Sequence, residues 1–191
     1  MLHVWSSRVA TVERPDWCIL DLDPKGASFA DVVALAQAAR RLCDELGLPC
    51  FAKTSGASGL HVLVGLGAQC TFEQSRSLAH LMAWTLVREH GQRATIDRPL
   101  RARQGKVYVD YLQNGHGQLL AAPFSVRPLP GAPVSTPLRW SEVKPGLDPA
   151  RFTLRTVLPR LRRAGDDPLR GVLEARPDLV AALSALQRRL G

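Results

Sequence analysis

Several common signatures are missing from this sequence of 191 residues. No run of eighteen apolar residues occurs, so no membrane span is expected. Met1 to Trp17 holds no apolar stretch of the kind a secretory signal needs, and a cytoplasmic location is the expectation. No G-x-x-x-x-G-K-[ST] string is present, which argues against a P-loop ATPase. The four cysteines, Cys18, Cys43, Cys50 and Cys70, form no C-x-x-C pair, and no histidine spacing completes a zinc site. Each lies among apolar neighbours and is expected as a buried free thiol in a reducing compartment. Internal repeats and low-complexity tails are absent as well. Acidic residues are in deficit: 17 Asp and Glu face 25 Lys and Arg, a net charge of +8. The excess concentrates in Arg93 to Lys106 and in Arg151 to Arg170. Such a balance suits polyanionic partners, although arginine-rich solvated faces give the same number.

What is present suffices for a single globular domain over 1–191, with 46% hydrophobic and 22% charged residues. Trp17-Cys18-Ile19-Leu20 running into Asp21-Leu22-Asp23-Pro24 predicts a short buried strand ended by proline. Ser28 caps a helix predicted from about Phe29 to Leu46 and stopped by Gly47. Cys50 to Lys53 and Leu60 to Leu66 read as a hairpin around the small-residue turn Thr54 to Gly59. A second amphipathic helix runs from Thr71 to about His90; Glu73 is off the capping-box position, which leaves a simple cap. Arg93 to Lys106 reads as a basic loop with a short turn, and Lys106 to Tyr111 as a strand. Asn114-Gly115 signals a turn that lets Gln118 to Ala122 return as that strand's partner. Five prolines keep Pro123 to Pro137 extended, and helices broken by Pro168 and Pro177 follow Asp148. Intermixed strands and helices predict an α/β (α+β) sandwich with a mainly antiparallel sheet.

The chemistry rests on carboxylates. Asp21 and Asp23, two apart on a strand, share a face, and two carboxylates side by side resist ionisation unless a cation lies between them. Magnesium and manganese take oxygen ligands of this kind. The same pair also serves simply to cap a turn before Pro24. Phosphatases with a nucleophilic D-x-D place Thr or Val where this chain has Lys25, which argues against them. Asp110 ends another apolar strand and is able to join the first two if the strands are neighbours. Three carboxylates around two metal ions serve phosphoryl transfer, one ion activating a hydroxyl and both clamping the phosphate. The loop Lys53-Thr54-Ser55-Gly56-Ala57-Ser58-Gly59 offers backbone N–H groups, a lysine charge and a hydroxyl to phosphate. His61 alternates with Leu60 and Val62 and so points to the opposite face, either as a core residue or as a ligand contact. Arg127 follows a strand and offers a bidentate fork for phosphate, or a solvated side chain.

Together these blocks resemble a known family. Asp21-Leu22-Asp23-Pro24, Lys53-Thr54-Ser55-Gly56 with Gly59-Leu60-His61-Val62, Val109-Asp110-Tyr111-Leu112-Gln113-Asn114 and Ala122-Pro123-Phe124-Ser125-Val126-Arg127 are similar, in order and spacing, to the polymerase domain of bacterial ATP-dependent DNA ligase D. That domain belongs to the archaeo-eukaryotic primase superfamily. Val134 to Trp140 and Phe152 to Val157 extend the likeness, which covers about Leu2 to Ala175. The resemblance implies a primase-polymerase core with an RRM-like active-site unit. It implies Asp21, Asp23 and Asp110 as ligands of two Mn²⁺ or Mg²⁺ ions. Lys53, Ser55, His61, Gln113 and Arg127 would hold the nucleotide, mostly its triphosphate. The implied reaction is attack of a primer 3′-hydroxyl on the α-phosphate of an NTP, ribonucleotides included, in double-strand-break repair by non-homologous end joining. Implied partners are DNA ends, the Ku protein, and ligase and nuclease domains. Family domains carry a sizeable segment before the block His3-Val4-Trp5-Ser6-Ser7-Arg8, with basic residues that engage a 5′-phosphate; here the sequence begins almost at that block. A catalytically impaired remnant that still binds nucleotide or DNA is the alternative expectation.

Overall fold

The computed structural model describes residues 1–163 and 165–191 in full. Strand β1 (His3–Val4) leads into β2 (Trp17–Asp23), helix α1 (Phe29–Leu46), β3 (Cys50–Thr54) and β4 (Leu60–Gly65). Helix α2 (Phe72–His90), β5 (Ala94–Thr95), a single helical turn α3 (Leu100–Arg103), β6 (Val107–Asp110) and β7 (Leu120–Ala121) follow. The chain ends with β8 (Pro137–Leu138), α4 (Leu154–Ala164) and α5 (Leu179–Leu190). Six strands form one sheet in the order β5-β6-β2-β4-β3-β8, antiparallel throughout except for β5 against β6.

Alternation along β2 decides what each face of this sheet does. Cys18, Leu20 and Leu22 point into the main core, against Val32, Leu35, Ala39 and Leu42 of α1 and Leu78, Met82 and Leu86 of α2. Trp17 and Ile19 point the other way, into a smaller cluster with Leu63, Leu120 and Val172. Asp21 and Asp23 continue that second row, so the carboxylates lie on the face away from α1 and α2.

The expected helices and hairpin form as the periodicity indicates. Ser28 accepts from the Asp31 N–H at the start of α1, and Gly47 ends it in the left-handed region at φ 66°. The start of α2 differs from expectation. Gln74, not Glu73, completes a reciprocal capping box with Thr71. The basic stretch is more ordered than a loop, containing β5 and α3.

The largest correction concerns Gln118 to Ala122. β7 does not return onto β6; it pairs with β1 in a separate two-stranded sheet, His3 opposite Ala121. Asn114 explains why. Its side-chain amide accepts from the Ile19 N–H at 2.7 Å and donates to the Ile19 carbonyl at 2.8 Å. It thereby takes the place of a further β6 residue alongside β2, and the chain is free to leave the sheet. The proline-rich segment 123–137 is ordered but, contrary to expectation, not extended. It turns near Leu129 to Ala132 and doubles back, Val126 bridging Val134 antiparallel and the Arg127 N–H donating to the Pro133 carbonyl at 2.8 Å, before β8 joins the sheet.

Among the described residues no helix is long and apolar enough to cross a membrane. The four cysteines are free; Cys18 and Cys43 are buried, Cys50 and Cys70 half-buried. Burial pushes the thiols of Cys18 and Cys70 above their ordinary value.

Candidate active site

Strand register brings the acidic residues together. Asp21 on β2 is directly opposite Asp110 on β6, and Asp23 lies two residues further along the same face. All three line one cavity of about 420 Å³ together with Ser55, His61, Gln113 and Arg127. Seven of the eight residues singled out in the sequence therefore share a single pocket.

Lys53 is the exception. Its side chain is fully buried, and Nζ donates to Ser135 Oγ at 2.5 Å. It lines a neighbouring apolar groove, beside Trp17 and Leu63, rather than the carboxylate cavity. Burial, reinforced by Arg127 and opposed by Asp21, brings its pKa down to about 7. Lys53 thus acts from behind the pocket wall.

The electrostatics follow from crowding. Burial and the adjacent Asp110 and Asp23 push the Asp21 carboxyl up to about 7, against the pull of Lys53 and Arg127. His61 lies across the strand pair from Asp21, with Nε2 at 3.5 Å from its Oδ1. Burial, then Lys53 and Arg127, hold the imidazole well below its ordinary pKa, so it is neutral at pH 7. Its Nδ1 is buried without a partner, and so is Nε of Arg127. Both residues line the cavity, and a buried polar atom without a partner is a feature that calls for explanation.

Turn chemistry holds the wall formed by Ser55 to Gly59. Ser55 Oγ accepts from the N–H groups of Ala57 (3.1 Å) and Gly59 (3.0 Å), which leaves its own proton available to a ligand. Gly56 has φ +74°, and a Cβ there would stand 2.7 Å from Cγ of Arg127. A Cβ on Gly59 would stand 2.3 Å from the Leu22 carbonyl oxygen. Both glycines are fixed by close approach.

The donor set fits a hard divalent cation in kind. The carboxylates are nonetheless turned apart: among the described residues no three His, Cys, Asp or Glu side chains are gathered around one point. Two of them accept from other donors. Asp23 Oδ2 accepts from Arg103 Nη1 at 2.9 Å, and Asp110 Oδ1 accepts from the Leu112 N–H at 2.8 Å. The backbone register nonetheless sets all three on one face of the sheet.

Sequence reasoning missed several lining residues: His3, Arg103, Tyr108 and the segment Leu119 to Ala121. Arg103 is buried, bonded to the Arg98 carbonyl and packed over the Tyr108 ring at 4.1 Å. Its only signal was membership of the basic stretch. His3 and Leu119 to Ala121 reach the pocket through the β1–β7 pairing, which no local pattern announces.

Comparison with known proteins identifies the family. Residues 1–169 match the family described as LigD, primase-polymerase domain. The "Multifunctional non-homologous end joining protein LigD" of Pseudomonas aeruginosa is 36% identical over 191 residues, covering 99% of this chain and 22% of that protein. The "Bifunctional non-homologous end joining protein LigD" of Bacillus subtilis is 32% identical over 173 residues, covering 84% and 28%. The chain thus spans less than a third of the length of these curated relatives. Among solved structures, the polymerase domain of Mycobacterium tuberculosis ligase D in complex with DNA superposes with a TM-score of 0.77 at 31% identity, covering 86% of this chain and 57% of that one. The fold, the pocket and these matches lead to one assignment: the chain belongs to the LigD primase-polymerase domain family.

Proposed function

We propose that this protein is a DNA-directed nucleotidyltransferase that extends a primer 3′-hydroxyl with NTPs, ribonucleotides included, in non-homologous end joining. The observation that carries the reading is the register: Asp21 opposite Asp110, with Asp23 on the same face of the same cavity. Asp21, Asp23 and Asp110 hold two divalent ions, Mn²⁺ or Mg²⁺. Ions bound there supply Lewis-acid activation of the attacking hydroxyl and neutralise charge on the reacting phosphate. The chain's own groups bind and orient the nucleotide. Arg127 presents its guanidinium to phosphate, Ser55 donates its hydroxyl proton, and the neutral His61 and Gln113 complete the wall. Lys53 keeps the wall in place through Ser135 and adds positive potential from behind when protonated. DNA ends are the substrate; the solved M. tuberculosis relative is a complex with DNA. Ku and the ligase and nuclease domains are the proposed working partners, in keeping with the relatives' names.

Primed DNA incubated with NTPs and Mn²⁺ tests the reading: the wild-type protein extends the primer and Asp21→Ala does not. The ion pair that holds Asp23 on Arg103 favours a second reading, a domain that binds nucleotide without turnover. It predicts NTP binding with no extension by the wild type, and primer extension removes it.

A further inference from the structure

The turn at the phosphate side of the pocket has a second side. Ala57 and Ser58 line the catalytic cavity and also a further depression of about 510 Å³. Its floor is uncharged, built from Leu129, Pro130, Pro133 and Pro149, and Leu129 is 46% exposed. Asp148 and Arg151, which flank Pro149-Ala150, belong in turn to a third depression of about 800 Å³. Lys144, Phe152, Arg160 and Arg163 also line it.

Charges in this third depression are unevenly committed. Arg160 clamps Glu142 through two bonds of 2.6 and 2.7 Å and also bonds the Pro137 carbonyl. Asp148 is spent on capping the Ala150 N–H. Among the described residues no carboxylate stands within ion-pair distance of Lys144, Arg151 or Arg163. All three are exposed. The carboxylate pocket and the apolar depression share Ala57 and Ser58. The depression that holds the three uncompensated cations shares no lining residue with the apolar one but follows it along the chain at Pro149 to Arg151; the two depressions together make up a trough.

We propose that this trough carries a single strand of nucleic acid as it leaves the catalytic pocket. Bases lie on the leucine-proline floor, and phosphates meet Lys144, Arg151 and Arg163. Single strands bind grooves that pair basic side chains with a platform for the bases, and here leucine and proline carbon surface stands where aromatic rings commonly serve. A free polyphosphate does not suit it, because the middle of the path offers no charge. The inference rests on the polymerase reading for its substrate.

The test uses the full chain and a fluorescent duplex carrying a single-stranded tail of about ten nucleotides, with a blunt duplex as control. Binding is read by anisotropy without NTP or divalent ion, so a catalytically dead protein still reports. Lys144→Ala/Arg151→Ala/Arg163→Ala is expected to weaken the tailed duplex about tenfold and to lower the salt slope by about 2, at roughly 0.7 per single-strand phosphate contact. Blunt-duplex affinity stays within about twofold. Leu129→Ser is expected to weaken only the tailed duplex, with the salt slope unchanged. Equal losses on both duplexes, or wild-type affinity for the tail in the triple variant, overturn the proposal. Failure of primer extension by the wild type bears on the polymerase reading instead.

Discussion

Asp21 carries more physical consequence than any other single side chain in this molecule, because the fold places it where it is least at ease. In an unfolded chain it ionises near the ordinary 3.8; in the folded protein burial, Asp110 and Asp23 push it up to about 7. The folded state therefore holds this proton more tightly than the unfolded one. The stability that Asp21 contributes is full below about pH 4 and is lost as pH rises through about 7. Asp21→Asn removes the ionisation. Its stability advantage over the metal-free wild type is expected to grow from about pH 4 to about pH 7 and then level off. The full shift corresponds to about 4 kcal/mol, and water in the open pocket moderates this to an expected gain on the order of 1–2 kcal/mol. Mn²⁺ relieves the same repulsion, so it is expected to raise the melting temperature of the wild type more at about pH 8 than at about pH 5, and that of the variant little at either. Melting curves at both pH values with and without Mn²⁺ check this. An Asn variant less stable than the wild type at about pH 8 would show that Asp21 is not under strain.

Between elements, Asn114 performs work that a strand performs elsewhere. Its amide satisfies both backbone groups of Ile19 and donates to the Tyr111 carbonyl at 2.8 Å. Asn114→Ala strands a buried N–H and a buried C=O of β2 next to the carboxylates. The expected loss is about 2–6 kcal/mol, at about 1–3 for each of the two buried groups left unpaired. Urea unfolding reads it as a lower midpoint with an unchanged m-value. A change below about 0.5 kcal/mol would mean that water replaces the amide. This residue also shows where sequence legibility stops. Asn114-Gly115 reads as a turn, which is locally sound, but its role depends on Ile19, 95 residues away. The helices α1 and α2 and the β3–β4 hairpin were legible because their signals are local: a 3.6 period, a cap and a small-residue turn. The triad was legible because alternation on β2 and β6 fixes the face, whereas the partner of β7 is set by long-range pairing. Lys53 was read as a charge offered to phosphate, and its side chain lies in the neighbouring groove and outside the lining of the carboxylate cavity. Strand alternation cannot tell how far a lysine stem reaches.

At the scale of the whole molecule, the last helix decides whether the core closes. The family match ends at residue 169, yet α5 packs Ala182 and Leu186, both fully buried, into the same core as α1 and α2. Polar contacts fasten it from several directions. Arg189 pairs with Glu89 of α2 and Glu45 of α1, Arg88 donates to the Leu190 carbonyl, and Gln69 donates to the Pro177 carbonyl at 2.9 Å. The approach before it is tight as well, since a Cβ on Gly65 would stand 2.4 Å from that of Ala175. The surface ion pairs add little by themselves. The apolar contact adds more: burying Leu186 contributes about 2–3 kcal/mol, and Ala182 with the half-buried Leu179 and Leu190 on the order of 2 more. Against a typical net stability of about 5–15 kcal/mol, that loss is decisive. A chain ending at Arg176 is expected to melt at least about 10 °C lower than the full chain or to aggregate, because it uncovers the outer faces of α1 and α2 together. Thermal unfolding of the two proteins side by side tests this. Equal melting temperatures would make α5 an accessory laid on a core already closed by the two longer helices. A lowered one would place the boundary of the folding unit some twenty residues past the end of the family match.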